Sequence, residues 1–225
     1  MIKYNDFFSL IDIEEKEKNS AKHYIKFRGL QEHINMANYL SSFINGRKPT
    51  YKEVATAFRY DKRIRRIIYK YLGLIEEYYR AYLCNTFSKP SSLKIKTKKS
   101  LYEFFSSSKF STLINTIWSL KEEHKKVVFN NKNILLKNLN ALIELRNAIS
   151  HNRTIINYMD FEEVTLNNGK IGCSLLLNIQ NILYLLPKEI SNNCKKEITN
   201  ASIEGEKKLN NQVDWDLFSS IILRF

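Results

Sequence analysis

Between Asp61 and Phe87 the apolar residues Ile64, Ile67, Ile68, Tyr71, Leu72, Ile75, Tyr78, Tyr79 and Tyr82 return every three or four positions. That spacing draws one stripe along a helix turning every 3.6 residues or so. Lys62, Arg63, Arg65, Arg66 and Lys70 lie mostly off the stripe, and Asp61 suits its N-cap. A long helix with one apolar face has to bury that face against other helices. The rest of the chain agrees: 6 glycines and 3 prolines in 225 residues are too few for a many-turned all-β fold.

Other helical patterns flank this one. Leu30, Ile34, Ala37 and Leu40 keep helical spacing in a helix beginning near Lys26, and Asn45 to Thr50 stops it with Gly46 and Pro49. A further helix starts near Thr50. Tyr102 to Phe105 and Phe110 to Leu120 read as short helices, Asn133 to Ile156 as a long one, and Leu175 to Leu186 as a leucine-rich helix ended by Pro187. Met1 to Glu17 reads as a short helical or irregular lead-in, and Ser88 to Ser100 as a basic surface loop. Val164 to Gly172 predicts a small hairpin with a two-residue Asn168-Gly169 turn. A polar stretch, Ser191 to Gln212, leads to an amphipathic terminus, Trp215 to Phe225, which suits a dimer contact. The expectation is one all-α domain over residues 1–225, a helical bundle with one small β-hairpin.

Composition narrows the function. No run of about 18 apolar residues suggests a membrane span, and the N-terminus lacks a signal-peptide pattern, so a cytoplasmic protein is expected. Cys84, Cys173 and Cys194 form no CxxC pair, so neither a disulfide framework nor a zinc site is expected. The glycines make no phosphate-cradling loop, and no cofactor or metal is expected. The net charge of +13 fits a polyanionic partner, of which nucleic acid is the commonest. Lys, Asn, Ile and Tyr are abundant together, as AT-rich codon usage produces, so the charge is compatible with RNA without proving it.

One helical segment breaks its own pattern. On a wheel of about 100° per residue, Leu135, Leu136, Leu139, Leu142 and Ile143 share a face, and the next core position is Arg146. Asn147 flanks it, Ile149 returns to the core, Arg153 falls near the middle of the face and His151 at its border. An arginine at a core position is costly unless paired or lining a wet cavity, and such violations concentrate at functional sites. A packing role against a carboxylate on a neighbouring helix is the alternative. Histidine moves protons near neutral pH, and arginine forks onto phosphate oxygens. Together they suffice to cleave RNA: the 2′-hydroxyl attacks the adjacent phosphate, the histidine moves protons and the arginine stabilises the added charge. Asn147, one turn before His151, can orient the imidazole or touch the phosphate. On an ideal helix Arg146 and His151 lie about 140° and about 7.5 Å apart. Either the helix is distorted between them or two copies meet across a two-fold axis; the dimer is preferred.

Arg146-Asn147-x-x-x-His151 resembles the RNxxxH motif of HEPN domains, and Leu145 to Arg153 resembles the corresponding string of the Abi family of phage abortive-infection proteins. Tyr60 to Arg66, followed by Ile75 to Arg80, is similar to the upstream helix of that family, and Lys26 to Ile34 echoes its start. The likeness spans about residues 26 to 157 and leaves the hairpin and helices of 158–225 outside it. It implies a HEPN-like helical bundle with extra helices, and an endoribonuclease toxin of phage defence that works without metal and leaves 2′,3′-cyclic phosphate ends. It implies Arg146 and His151 as catalytic with Asn147 in support, and Arg153 as a phosphate contact. Asn152, Arg63 and Arg66 join Arg153 as RNA-binding candidates. Glu76 and Arg80 are second-tier, with a plain i, i+4 ion pair as the competing account. The implied partners are an RNA substrate, a second copy completing a composite active site, and an antitoxin for which a small RNA would suit the basic surface. Thr154-Ile155-Ile156-Asn157 stands where the family carries an aromatic, so substrate contacts would differ.

Two other accounts stay open: a non-catalytic HEPN module binding RNA or protein, and a helical protein whose basicity is codon bias alone, which leaves Arg146 unexplained. His23, His33 and His124 lack metal or triad spacing and read as ordinary surface or packing residues. Trp118 and Trp215 read as core or interface anchors. Tyr69, Tyr71, Tyr78, Tyr79 and Tyr82 read as core rather than as base-stacking residues.

Overall fold

The computed structural model describes residues 3–157, 161–209 and 222–223. It is mostly helical, with ten α-helices and one two-stranded antiparallel hairpin among the described residues. The chain divides into two compact units. One draws on Met1–Ile67, Ile149–Tyr158 and Lys195–Phe225, the other on Ile68–Ala148 and Met159–Cys194.

The first unit begins with α1 (Tyr4–Phe8), α2 (Glu15–Arg28) and α3 (Leu30–Ser41). The helix expected to run through from Lys26 instead breaks at Gly29, whose φ of 88° and ψ of 137° lie where only glycine sits without strain. Only the start of α2, Glu15 to Glu17, falls in what reads as a lead-in, and Lys18 to Ile25 carry no expectation from the sequence. The helix buries only Ala21 and Ile25, too few apolar positions to announce a helix.

Next comes α4 (Tyr51–Thr86), 36 residues long. Its start near Thr50 is as expected, and a reciprocal cap fixes it. The Thr50 amide donates to Glu53 Oε2 at 2.7 Å, and the Glu53 amide donates to Thr50 Oγ1 at 3.2 Å. Asp61 is therefore not an N-cap but a mid-helix residue, fully buried. Val54, Ala57 and Phe58 carry the apolar face upstream of it, so the helix has no reason to begin at Asp61. Phe7, Ile25, Met36, Leu40 and Ile64 form the core of this unit. Tyr60 links it to α10 (Lys188–Leu209): its hydroxyl lies 3.1 Å from Ser202 Oγ and accepts from the Leu223 amide at 2.9 Å. That helix occupies what reads as a polar stretch. Its apolar positions Ile190, Cys194 and Ile198 recur only every fourth residue, so composition hides it. The terminal segment from Trp215, with its expected dimer contact, lies outside the described residues apart from the buried Ile222 and Leu223.

The second unit holds the rest of α4, a 3-10 turn at Pro90–Leu93, α5 (Leu101–Ser106), α6 (Phe110–Trp118), α7 (Glu122–Val128), most of α8 (Leu136–Ser150), the strands β1 (Val164–Thr165) and β2 (Ile171–Gly172), and α9 (Leu175–Leu185). The α4 stripe supplies Ile68, Tyr71, Leu72, Ile75 and Tyr79 to the core. Tyr69 and Tyr78 are 51% and 46% exposed and belong to the surface. Tyr82 is half-buried, its hydroxyl 3.0 Å from His124 Nδ1, so the two side chains pack together. Buried Asn138 ties α8 to the hairpin and to α9, donating to the Thr165 carbonyl and to Asn181 Oδ1, each at 2.9 Å. The hairpin pairs Val164 with Gly172 and Thr165 with Ile171. Its loop is three residues, Asn167–Gly169, rather than two. The Leu166 amide donates to the Lys170 carbonyl at 2.9 Å, and Gly169 takes the left-handed φ of 79°. No helix among the described residues is long and apolar enough to cross a membrane.

Candidate functional site

The Arg146–Arg153 segment departs from its helical-wheel expectation because α8 stops at Ser150. Asn152 adopts φ 57°, a left-handed conformation that asparagine tolerates better than most residues, and its amide donates back to the Ile149 carbonyl at 3.0 Å. The buried line of α8 is Asn138, Leu139, Ala141, Leu142, Leu145, Ala148 and Ile149. Leu135 and Leu136 are exposed. Arg146 therefore flanks the core, half-buried, instead of occupying a core position, and Asn147 is exposed. His151, Asn152 and Arg153 lie past the helix end and are exposed; Arg153 is not on a core face. The 140° separation expected on an ideal helix does not apply, because the helix ends between Arg146 and His151.

Immediately after these exposed residues the chain turns inward, and Thr154, Ile155 and Ile156 are buried. Side chains of α3 and α4 in the same unit hold this segment. Asp61 Oδ1 accepts from the Ile155 amide at 2.7 Å and from the Ile156 amide at 3.3 Å. Asp61 Oδ2 accepts from Arg65 Nε at 2.6 Å, and Arg65 Nη1 donates to Asn152 Oδ1. The Thr154 hydroxyl donates to Glu32 Oε2 at 2.7 Å. Asp61 and Arg65 are 0% and 5% exposed. Burial pushes the Asp61 carboxyl above its ordinary value, against the opposing pull of Arg65 and of the two amides. A buried ion pair is a poor stabiliser compared with apolar packing. This one spends its hydrogen bonds on three residues that follow His151: the Asn152 side chain and the Ile155 and Ile156 amides. The exposed His151 and Arg153 thus sit on a fastened segment. The positive charge of Arg153 also suits the negative end of the α8 dipole.

Of the sequence-predicted residues, His151, Asn152, Arg153, Arg63 and Arg66 belong to the first unit, and Arg146, Asn147, Glu76 and Arg80 to the second. Asn152 is held through Arg65. Arg63 pairs with Glu204 at 2.9 Å, and Arg66 is exposed. Glu76 and Arg80 form an i, i+4 ion pair at 2.8 Å, as the competing account expects. The sequence reading makes Asp61 a cap, groups Arg65 with residues mostly off the stripe, and gives Glu32 no role. One signal points to the pair: Asp61 and Arg65 are four apart and in register with Ile64, Ile68 and Leu72, so two charges sit on the apolar face itself. His33 is a packing residue, 3% exposed, edge-on to Phe7 at 5.4 Å and with Nδ1 3.0 Å from the Gly29 carbonyl. Burial holds its imidazole below the usual histidine value. Among the described residues no three His, Cys, Asp or Glu side chains stand together to hold a metal ion.

Set against family models, curated proteins and solved structures, the chain matches none of them.

Proposed function

We propose that the protein is a cytoplasmic, metal-independent endoribonuclease of the Abi and HEPN kind, acting as a toxin in phage defence. In this proposal the ribose 2′-oxygen forms a bond to the adjacent phosphorus as the bond from phosphorus to the 5′-oxygen breaks. His151 accepts the 2′-hydroxyl proton and returns a proton to the departing 5′-oxygen. Arg146 neutralises the charge that grows on the phosphate oxygens. Asn147 supports the pair and Arg153 holds a neighbouring phosphate. The products are a 2′,3′-cyclic phosphate and a 5′-hydroxyl. A second copy supplies the partner motif of a composite site, and an antitoxin restrains it.

The observation that supports this most is the fastening of the segment after α8. A buried Asp61–Arg65 pair, two backbone amides and Asn152 fix the residues next to an exposed histidine, and catalysis needs such preorganisation. Expression in bacteria tests the toxin part: the wild-type chain impairs growth without its antitoxin and His151→Ala does not. Equal growth of the two strains counts against it.

A further inference from the structure

A groove of about 550 Å³ opens in the first unit, wholly within residues 20–62. Its wall carries three cations, Arg28, Arg59 and Lys62, and the aromatics Tyr24, Phe27 and Phe58; no carboxylate lines it. Phe27 is 74% and Tyr24 58% exposed, although neither is needed to close the core. Arg28 lies over the Phe58 ring at 5.3 Å from its centroid. Arg28 Nη1 is buried without a hydrogen-bond partner among the described residues, and so is Arg65 Nη2. Burial first, and then the nearby charge of Arg65, hold the Arg28 guanidinium below its ordinary value, with Asp61 as the opposing carboxylate. Two guanidinium groups thus share one buried carboxylate, and two buried donors lack acceptors. In the groove an anion's oxygens would supply the missing charge and the acceptor that Arg28 Nη1 lacks. The flat exposed rings beside them suit a planar partner, which an acidic peptide does not offer.

We propose that this groove seats one nucleotide of a single-stranded RNA, its base against Phe27 and Tyr24 and its phosphate on Arg28. The choice of RNA rests on the ribonuclease proposal and deepens it. Arg28 feels the charge of Arg65, and Arg65 donates to Asn152 of the fastened segment that presents His151. A strand held in the groove would be steadied on one side of the scissile phosphate. Arg59 and Lys62, both exposed, track its backbone.

The test measures binding of a labelled single-stranded RNA of about ten nucleotides to the full chain carrying His151→Ala, so that no strand is cut while bound. Arg28→Gln and Phe27→Ala, each added to that parent, are expected to weaken binding about tenfold. The exposed double substitution Arg59→Gln with Lys62→Gln weakens it too, and keeps the test open if Arg28→Gln fails to fold by circular dichroism. Binding by all folded variants within about twofold of the parent overturns the proposal. Competition by a free mononucleotide as effective as the strand overturns the assignment to a strand. Displacement by polyglutamate at the same concentration overturns the choice of nucleic acid. If the wild type cuts no RNA while Phe27→Ala still weakens binding, the groove stands and the catalytic proposal falls. If the wild type cuts and the groove variants bind like their parent, the reverse holds.

Discussion

At the scale of single residues, the charges on the buried face of α4 are what the fold cannot easily lose. Asp61→Asn keeps the size of the side chain and leaves Arg65 buried without its counter-charge. The expected loss is about 3–5 kcal/mol of unfolding free energy in urea. Asp61→Asn with Arg65→Met should recover part of that loss, because the uncompensated charge goes with the arginine; a double variant no more stable than the single would contradict the pairing. His33 gives a pH signature. Its folded imidazole resists protonation, whereas the unfolded one takes a proton as pH falls below about 6.5. The unfolded state then binds more protons, so stability is full above that pH and declines as pH drops toward the lower folded value. Arg28, which disfavours the charged ring, and Glu32, which favours it, face the same imidazole. Melts at about pH 7.5 and about pH 5.5, either side of the ordinary histidine value, should separate more for the wild type than for His33→Leu. The exposed residues His151 and Arg153 stand out in the sequence as candidates for chemistry. The residues that fasten their segment are less so, because a hydrogen bond from Asp61 to amides 94 and 95 positions away leaves no local pattern.

At the scale of elements, the strongest periodicities were the readable ones. The α4 stripe, the α8 face and the leucine-rich α9 each carry enough buried apolar residues to fix a helical period. Where apolar residues thin out, as in α2 and α10, helix and loop look alike in sequence, and tertiary contacts such as Tyr60 with Ser202 decide. The end of α8 turned on one residue, since Asn152 enters the left-handed region and the pattern beyond Ser150 ceases to be helical. The start of α4 is a joint of several bonds. Glu53, 2% exposed, caps Thr50 and accepts from Arg47 Nη2 at 2.7 Å. Burial pushes its carboxyl up, but Arg47 and Thr50 together outweigh that and hold it below its ordinary value. Its contribution is therefore present above the usual carboxylate range and is lost as pH falls through the folded value. Glu53→Ala should cost about 2 kcal/mol at neutral pH, measured by urea unfolding, and the difference from wild type should shrink in acid.

At the scale of the whole molecule, a formal charge of +13 favours any polyanion, so salt-dependent binding alone identifies little. Position-specific loss is the better criterion. If RNA is bound and cut as proposed, groove substitutions act on affinity and His151→Ala acts on cleavage with affinity kept. The most direct measurement is an EDTA-treated assay of the purified chain on mixed RNA, comparing wild type with Arg146→Ala and His151→Ala. Cleavage by the wild type alone, leaving 2′,3′-cyclic phosphate ends, is the result expected. Equal cleavage by His151→Ala, or no cleavage by wild-type protein stripped of bound nucleic acid, would contradict the assignment of catalysis to this segment.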